Sequence, residues 1–196
     1  MLKQLKKISL LRNRRLLHFK RRIALLGQLL WKNKLKKLRL MWVVKPYTMM
    51  EYPRLSKLYE LAEETERNGI EGSIVECGVW HGGSAGMLAA ISRSHKSERA
   101  IWLFDSFEGL PEPGAIDVNI HGKKGKKGAA RGNEEEVWDL FLNVLKIKKE
   151  LIHMRKGWFQ DTIPTALPEI GPIAILHIDC DWYESVKYCL KNYLIN

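Results

Sequence analysis

The stretch Ser73–Ser94, SIVECGVWHGGSAGMLAAISRS, constrains the fold more than any other part of the chain. An apolar run ends in an acid, a glycine-rich turn follows, and an apolar helical pattern starts at once. A short strand buried on both faces that feeds a tight turn and a helix is the repeating unit of a parallel α/β sheet. The unit recurs. AIWLFD (100–105) reads as a second strand ending in an acid, LIHMRKG (151–157) as a third and IAILHID (173–179) as a fourth. Between and after them, NEEEVWDLFLNVLK (133–146) and WYESVKYCLKNYL (182–194) read as helices. Asn133 stands at the cap position of the first, with Glu136 three residues on. Pro53 suits the first turn of an earlier helix that ends near Asn68–Gly69. Gly114–Asn133 is rich in glycine and lysine with little apolar pattern, and reads as a mobile loop.

In such sheets ligands bind at the carboxyl ends of the strands. Those ends carry Glu76, Asp105, the GWFQD stretch (157–161) and Asp179-Cys180-Asp181. The glycine turn lacks the lysine of a phosphate-binding P-loop, and Gly78, Gly82 and Gly83 do not have the spacing of a dinucleotide fingerprint. Glu76 at the strand end would repel a pyrophosphate and attract an ammonium or sulfonium group. The helix start at Gly83–Ser84 offers amide groups to a carboxylate. A ligand with an amino group, a carboxylate and a sulfonium is S-adenosylmethionine; the alternative is a tight turn with no ligand. A nicotinamide oxidoreductase is disfavoured by the glycine spacing and by Glu76.

Asp105 can hold the two hydroxyls of a ribose. Trp158 and Phe159 can flank an adenine, and Gln160 or Asp161 can bond its amino edge; packing under the next helix is the other reading. Asp179 and Asp181 point the same way on a strand and could ligate a divalent ion together with waters. Asp181 could equally cap the helix that starts at Trp182-Tyr183. His177 lies within an apolar strand pattern and reads as a satisfied core histidine, whereas His81 lies in the glycine turn.

Charge is distributed unevenly. Residues 1–50 hold fifteen Lys/Arg and no Asp/Glu; of 33 basic residues in the whole chain this leaves 18, against 22 acidic ones. The high isoelectric point therefore describes an N-terminal arm and not the domain that follows. Leu16, Phe19, Ile23, Leu26 and Leu30 recur at helical spacing among the basic residues. The apolar run 23–31 is shorter than the ~20 residues a bilayer crossing needs. Three readings stay open for the arm: a solvated or partner-packed helix, a peripheral helix on an anionic membrane, and a nucleic-acid arm, which basic charge alone supports poorly. Three cysteines, Cys77, Cys180 and Cys189, without a CxxC pair fit neither a disulfide framework nor a zinc site, and suit reduced thiols in the cytoplasm.

The segments TMMEYPRLSKLYELAEE, GSIVECGVWHGGSAGML, WLFDSFEGLPEP, KGWFQDTIP and ILHIDCDWYES resemble, in order, the blocks of the macrocin O-methyltransferase family over about residues 44–193. The spacing of Glu76, Gly78, Trp80 and Ser84 is also similar to that of catechol-type O-methyltransferases. The resemblance implies a Rossmann-like class I methyltransferase sheet with strands in the order 3-2-1-4. It divides the chain into a basic helical arm, residues 1–43, and a partial methyltransferase domain, residues 44–196. It implies transfer of a methyl group from S-adenosylmethionine to a sugar hydroxyl of a small-molecule glycoside, with magnesium assistance. Glu76, Gly78 and Ser84 would hold the methionine part, with Trp80 also at the cofactor, and Asp105 the ribose. Ser106 and Phe107 would lie beside the adenine, in a pocket lined by Trp158 and Phe159 and fixed by Asp161. Thr48 and Met49 match a segment that closes over the site. Asp179 matches the first metal ligand and a group that takes the acceptor's proton.

The family carries a further strand with a paired-aspartate Asp-Asp-Tyr element. This chain stops at Asn196. The expectation is thus a domain truncated at its C-terminus, with later strands missing, an incomplete magnesium site and β-strand four left as an exposed apolar edge. A non-catalytic S-adenosylmethionine-binding remnant, tethered by its arm to a membrane or polyanion, is the alternative. A homo-oligomer is compatible with either; a nucleic-acid partner is disfavoured, because basic charge alone is a weak warrant for it.

Overall fold

The computed structural model describes residues 34–118 and 121–194. Most of the arm, residues 1–33, lies outside them. The chain divides into two compact units, Met1–Trp42 and Val43–Asn196. In the first, residues 34–42 are helical, and the helix runs on to residue 44.

The second unit is the α/β domain. Four strands, β1 (Ser73–Cys77), β2 (Ile101–Asp105), β3 (Ile152–Lys156) and β4 (Ile173–Ile178), pair in the order β3-β2-β1-β4, all parallel. Five helices surround them: α1 (Tyr52–Arg67), α2 (Gly83–His95), α3 (Glu134–Asp139), α4 (Phe159–Ile170) and α5 (Tyr183–Leu194). On one face Val75, Cys77, Trp102 and Phe104 form a core with Ile163, Ala166 and Ile170 of α4 and Cys189 of α5. On the other, α1 packs on α2 and reaches β4, while α2 crosses β1 and β2. Burying such side chains contributes roughly 1.5–3 kcal/mol each. The sheet order and the alternation of strand and helix match the sequence reading.

Two local readings change. The pattern over 133–146 predicts one helix, but after Asp139 the chain widens into a π-helical turn, Leu140–Val144. The reason is packing. Leu140, Phe141 and Leu145 are all buried. A Cβ on Gly86 would stand 2.8 Å from Leu145 and 3.2 Å from Leu140, and one on Gly82 3.4 Å from Phe141. The wider turn brings all three side chains onto the glycine face of α2. The segment 114–133 is irregular, as expected, yet it is tied down. The Leu110 amide donates to the Ala129 carbonyl, the Leu110 carbonyl accepts from the Gly128 amide, and Val118 bridges Lys124.

Among the described residues β4 is an edge strand, but all six of its residues are half-buried rather than exposed. At the amino end of the sheet, Arg99 and Glu66 form a buried ion pair at 2.7 Å, and Arg99 also donates to the Gly72 carbonyl. This pair joins the end of α1 to the start of β2, opposite the site described below.

A close approach sets the position of residues 44–49. A Cβ on Gly83 would lie 2.7 Å from the backbone of Tyr47 and from the Val44 carbonyl. Backbone cannot move aside as a flexible side chain can. Gly83→Ala is expected to lower the unfolding free energy by about 1–3 kcal/mol in urea denaturation. An unchanged midpoint would show that this contact is not tight.

Candidate functional site

A cavity of about 480 Å³ opens at the carboxyl ends of the strands, within the size range of small-molecule sites. Its floor is the turn after β1. Gly78 (φ +90°) approaches β4 so closely that a Cβ would stand 2.5 Å from the Asp179 carbonyl. Only glycine supplies both this φ and this space. Trp80 (φ 52°) and Phe107 (φ 57°) are non-glycine residues in the left-handed region, a cost of about 1–3 kcal/mol each.

One carboxylate holds both. Asp105 Oδ2 accepts from the Val79 and Trp80 amides at 2.7 and 2.9 Å, and Oδ1 accepts from Phe107 at 2.7 Å. Bonds from amides to a carboxylate are charge-assisted and offset the strain. Asp105 thus lines the cavity with most of its acceptor capacity already engaged.

Glu76 lies elsewhere. Its side chain is fully buried and does not line the cavity. Oε1 accepts from Ser84 Oγ at 2.6 Å and meets His177 Nδ1 at 2.7 Å, while Oε2 has no partner among the described residues. His177 is therefore a bonded core histidine. Burial alone would lower its pKa, but the hydrogen bond and charge of Glu76, helped by Asp179, outweigh burial and raise it. The glycine turn thus rests on a buried Ser84–Glu76–His177 chain that links α2, β1 and β4.

Of the other residues singled out from the sequence, Thr48, Met49, Gly78, Trp80, Ser84, Ser106, Trp158, Phe159 and Asp179 line the cavity. Phe107 is buried beside it, and Asp161 is exposed in the first turn of α4, where Gln160 lines the cavity instead. Thr48 Oγ1 accepts from the Met50 amide and Ser106 Oγ from the Glu108 amide, so both hydroxyls also shape their own turns. Arg54 of α1 donates to Asp179 Oδ1 at 3.3 Å. Asp181 titrates above the ordinary aspartate value, because of burial and the neighbouring Asp179 charge.

Asp181 does not cap α5 at the Tyr183 amide. That amide donates to Asp117 Oδ1 at 2.9 Å, while Asp117 Oδ2 accepts from Gly114 at 2.7 Å. Trp182 Nε1 donates to the Pro111 carbonyl at 2.9 Å. A Cβ on Gly125 would run into the Trp182 ring. Gly109–Glu112, Gly114 and Asp117, with Trp182, Glu184, Ser185 and Tyr188, complete the cavity wall. The sequence pattern missed this wall, since Asp117 is a buried acid between the exposed Ile116 and Val118 and its partner is 66 residues away.

The arrangement fits a nucleoside carrying an amino acid. Trp158 and Phe159 offer aromatic surface, α2 begins without a side-chain cap, and the carboxylates of Asp105 and Asp179 line the same cavity. A metal fits less well. Among the described residues no group of three or more His, Cys, Asp or Glu is placed to hold an ion, and Asp179 is already paired with Arg54.

Two outcomes are expected. The contribution of the Glu76–His177 pair to stability is fully present below pH 6.5, the unperturbed histidine value, and is lost as pH rises through the raised folded value. In urea denaturation at a series of pH values, the stability gap between wild type and His177→Gln should close as pH climbs above 6.5; a gap independent of pH would contradict the pairing. Asp117→Ala should cost about 1–2 kcal/mol and speed amide exchange in both 109–117 and the first turn of α5. Faster exchange in α5 alone would reduce Asp117 to a simple cap.

Comparison with known proteins agrees with this geometry. The model of the family described as macrocin O-methyltransferase (TylF) matches residues 9–194, and so extends well into the basic arm. The chain is 36% identical over 160 residues to demethyldecarbamoylnovobiocin O-methyltransferase of Streptomyces niveus, covering 77% of this chain and 58% of that protein. It is 33% identical over 162 residues to the 8-demethyl-8-(2,3-dimethoxy-alpha-L-rhamnosyl)-tetracenomycin-C 4'-O-methyltransferase of Streptomyces olivaceus, with the same coverage. The matched part thus spans little more than half the length of these relatives. The solved structure of the O-methyltransferase NovP superposes with a TM-score of 0.65 at 33% identity, over 75% of this chain and 61% of that one. The calicheamicin methyltransferase CalS11, at 20% identity and a TM-score of 0.57, shares the fold. The chain belongs to the macrocin O-methyltransferase family.

Proposed function

We propose that this chain carries the cofactor-binding part of an O-methyltransferase that moves a methyl group from S-adenosylmethionine to a sugar hydroxyl of a small glycoside. The observation that supports it most is the cavity itself, which nine of the residues singled out from the sequence line together with Asp105. The relatives' printed activities, on natural products that include a rhamnosyl compound, point the same way.

S-adenosylmethionine supplies an electrophilic methyl group on a positively charged sulfur. The residues of this chain hold and orient. Trp158 and Phe159 take the adenine, Asp105 the ribose, and the start of α2 at Gly83–Ser84 the methionine carboxylate. The buried Glu76 acts behind the turn, fixing Ser84 through their hydrogen bond. Asp179, oriented by Arg54, faces the cavity and accepts the proton of the acceptor hydroxyl. Such positioning in a partly desolvated pocket accounts for much of the rate enhancement in group transfer. Magnesium assistance is implied by the family resemblance alone.

Calorimetric titration with S-adenosylhomocysteine tests the cofactor half. Saturable binding is expected, weakened about tenfold or more in Trp158→Ala through loss of aromatic stacking on the base. Absence of heat in a sample shown to be folded by circular dichroism would remove the proposal.

A further inference from the structure

The helical residues 34–44 carry two apolar faces. Met41 and Val44 are buried, with Leu40 half-buried beside them. Leu35, Leu38 and Trp42, at positions i, i+3 and i+7, form a second stripe that is exposed: Leu35 at 42%, Leu38 at 51% and Trp42 at 85%. At 100° per residue these three lie within a 60° arc, with Lys34 flanking it on one side and Arg39 on the other. Lys36 is exposed as well. No acidic residue occurs in residues 1–50. An exposed tryptophan in an apolar stripe bordered by cations matches the chemistry of a bilayer interface, where the ring sits at headgroup level and lysine stems extend to phosphates.

We propose that residues 34–42 are a docking surface for an anionic lipid membrane, with Leu35, Leu38 and Trp42 entering the interface and Lys34, Lys36 and Arg39 meeting the headgroups. The occupant is chosen by charge. A stripe made for another protein surface would meet acids as well as bases, whereas here every ionisable side chain from the start of the chain to Lys45, histidine apart, is cationic. Residues 1–33 lead directly into the stripe with ten more Lys/Arg and add to the same attraction. No described helix is long and apolar enough to cross a membrane. The acceptor of the methyl group would then be met at, or released from, a lipid surface.

The test is co-flotation of the full chain with vesicles of phosphatidylcholine alone and of phosphatidylcholine with phosphatidylglycerol. Binding is expected only to the anionic vesicles and should weaken as salt is raised. Basic residues alone could produce that much, so the stripe is read separately. Leu38→Ser with Trp42→Ser should weaken binding about tenfold or more. With Trp31 replaced by Phe throughout, Trp42→Phe should keep binding but lose the part of tryptophan emission quenched by brominated lipid. Three results would each overturn the proposal: no flotation, equal flotation of the serine variant, or quenching that survives in Trp42→Phe. So would a wild-type dimer, by light scattering, that the serine variant turns into monomer, since the stripe would then belong to a second copy. S-adenosylhomocysteine binding, measured on the same variants without lipid, should be unchanged.

Discussion

The cavity depends on one carboxylate. Asp105 ends β2 and holds, through three backbone amides, the turn after β1 and the turn after β2. Both turns contain a residue in the left-handed region that is not glycine. Without the acid, Trp80 and Phe107 would relax, and the two rims of the site would separate. The same side chain is the one expected to meet a ribose. Shape and recognition are therefore joined in a single group, which makes the position intolerant of change for two physical reasons at once.

Much of this was legible in the sequence because it is local. A run such as SIVEC followed by a glycine turn fixes a strand, a turn and a helix within twenty residues, and four such runs leave few sheet orders open. The acids at the strand ends were visible for the same reason. Their individual roles were less so. Glu76 attracts attention at the end of β1, yet the alternation of strand side chains places it on the α1–α2 face, where His177 of β4 and Ser84 of α2 surround it. That outcome depends on which strand lies beside β1, and register across a crossover is not written locally.

The wall formed by residues 109–117 shows the limit more sharply. Asp117 sits in a stretch whose glycines and lysines suggest a loop without structure, and it becomes a buried cap only because α5 starts beside it. Long-range capping leaves no periodic signal. The π-helical turn after α3 is similar: the apolar spacing of 137–145 fits an α-helix well, and only Gly82 before α2 and Gly86 within it, opposite, explain the wider turn.

Tryptophan is unusually concentrated around the site. Of the chain's seven, Trp80, Trp158 and Trp182 line the cavity. They stand in different turns, Trp80 after β1, Trp158 before α4 and Trp182 before α5. Trp102 is sealed beneath His153 and Arg155 on the far side of the sheet and sees no ligand. The protein therefore contains its own optical reporter. Filling the cavity changes the solvent around three of the seven indoles, so occupancy can be followed by intrinsic emission without attaching a dye.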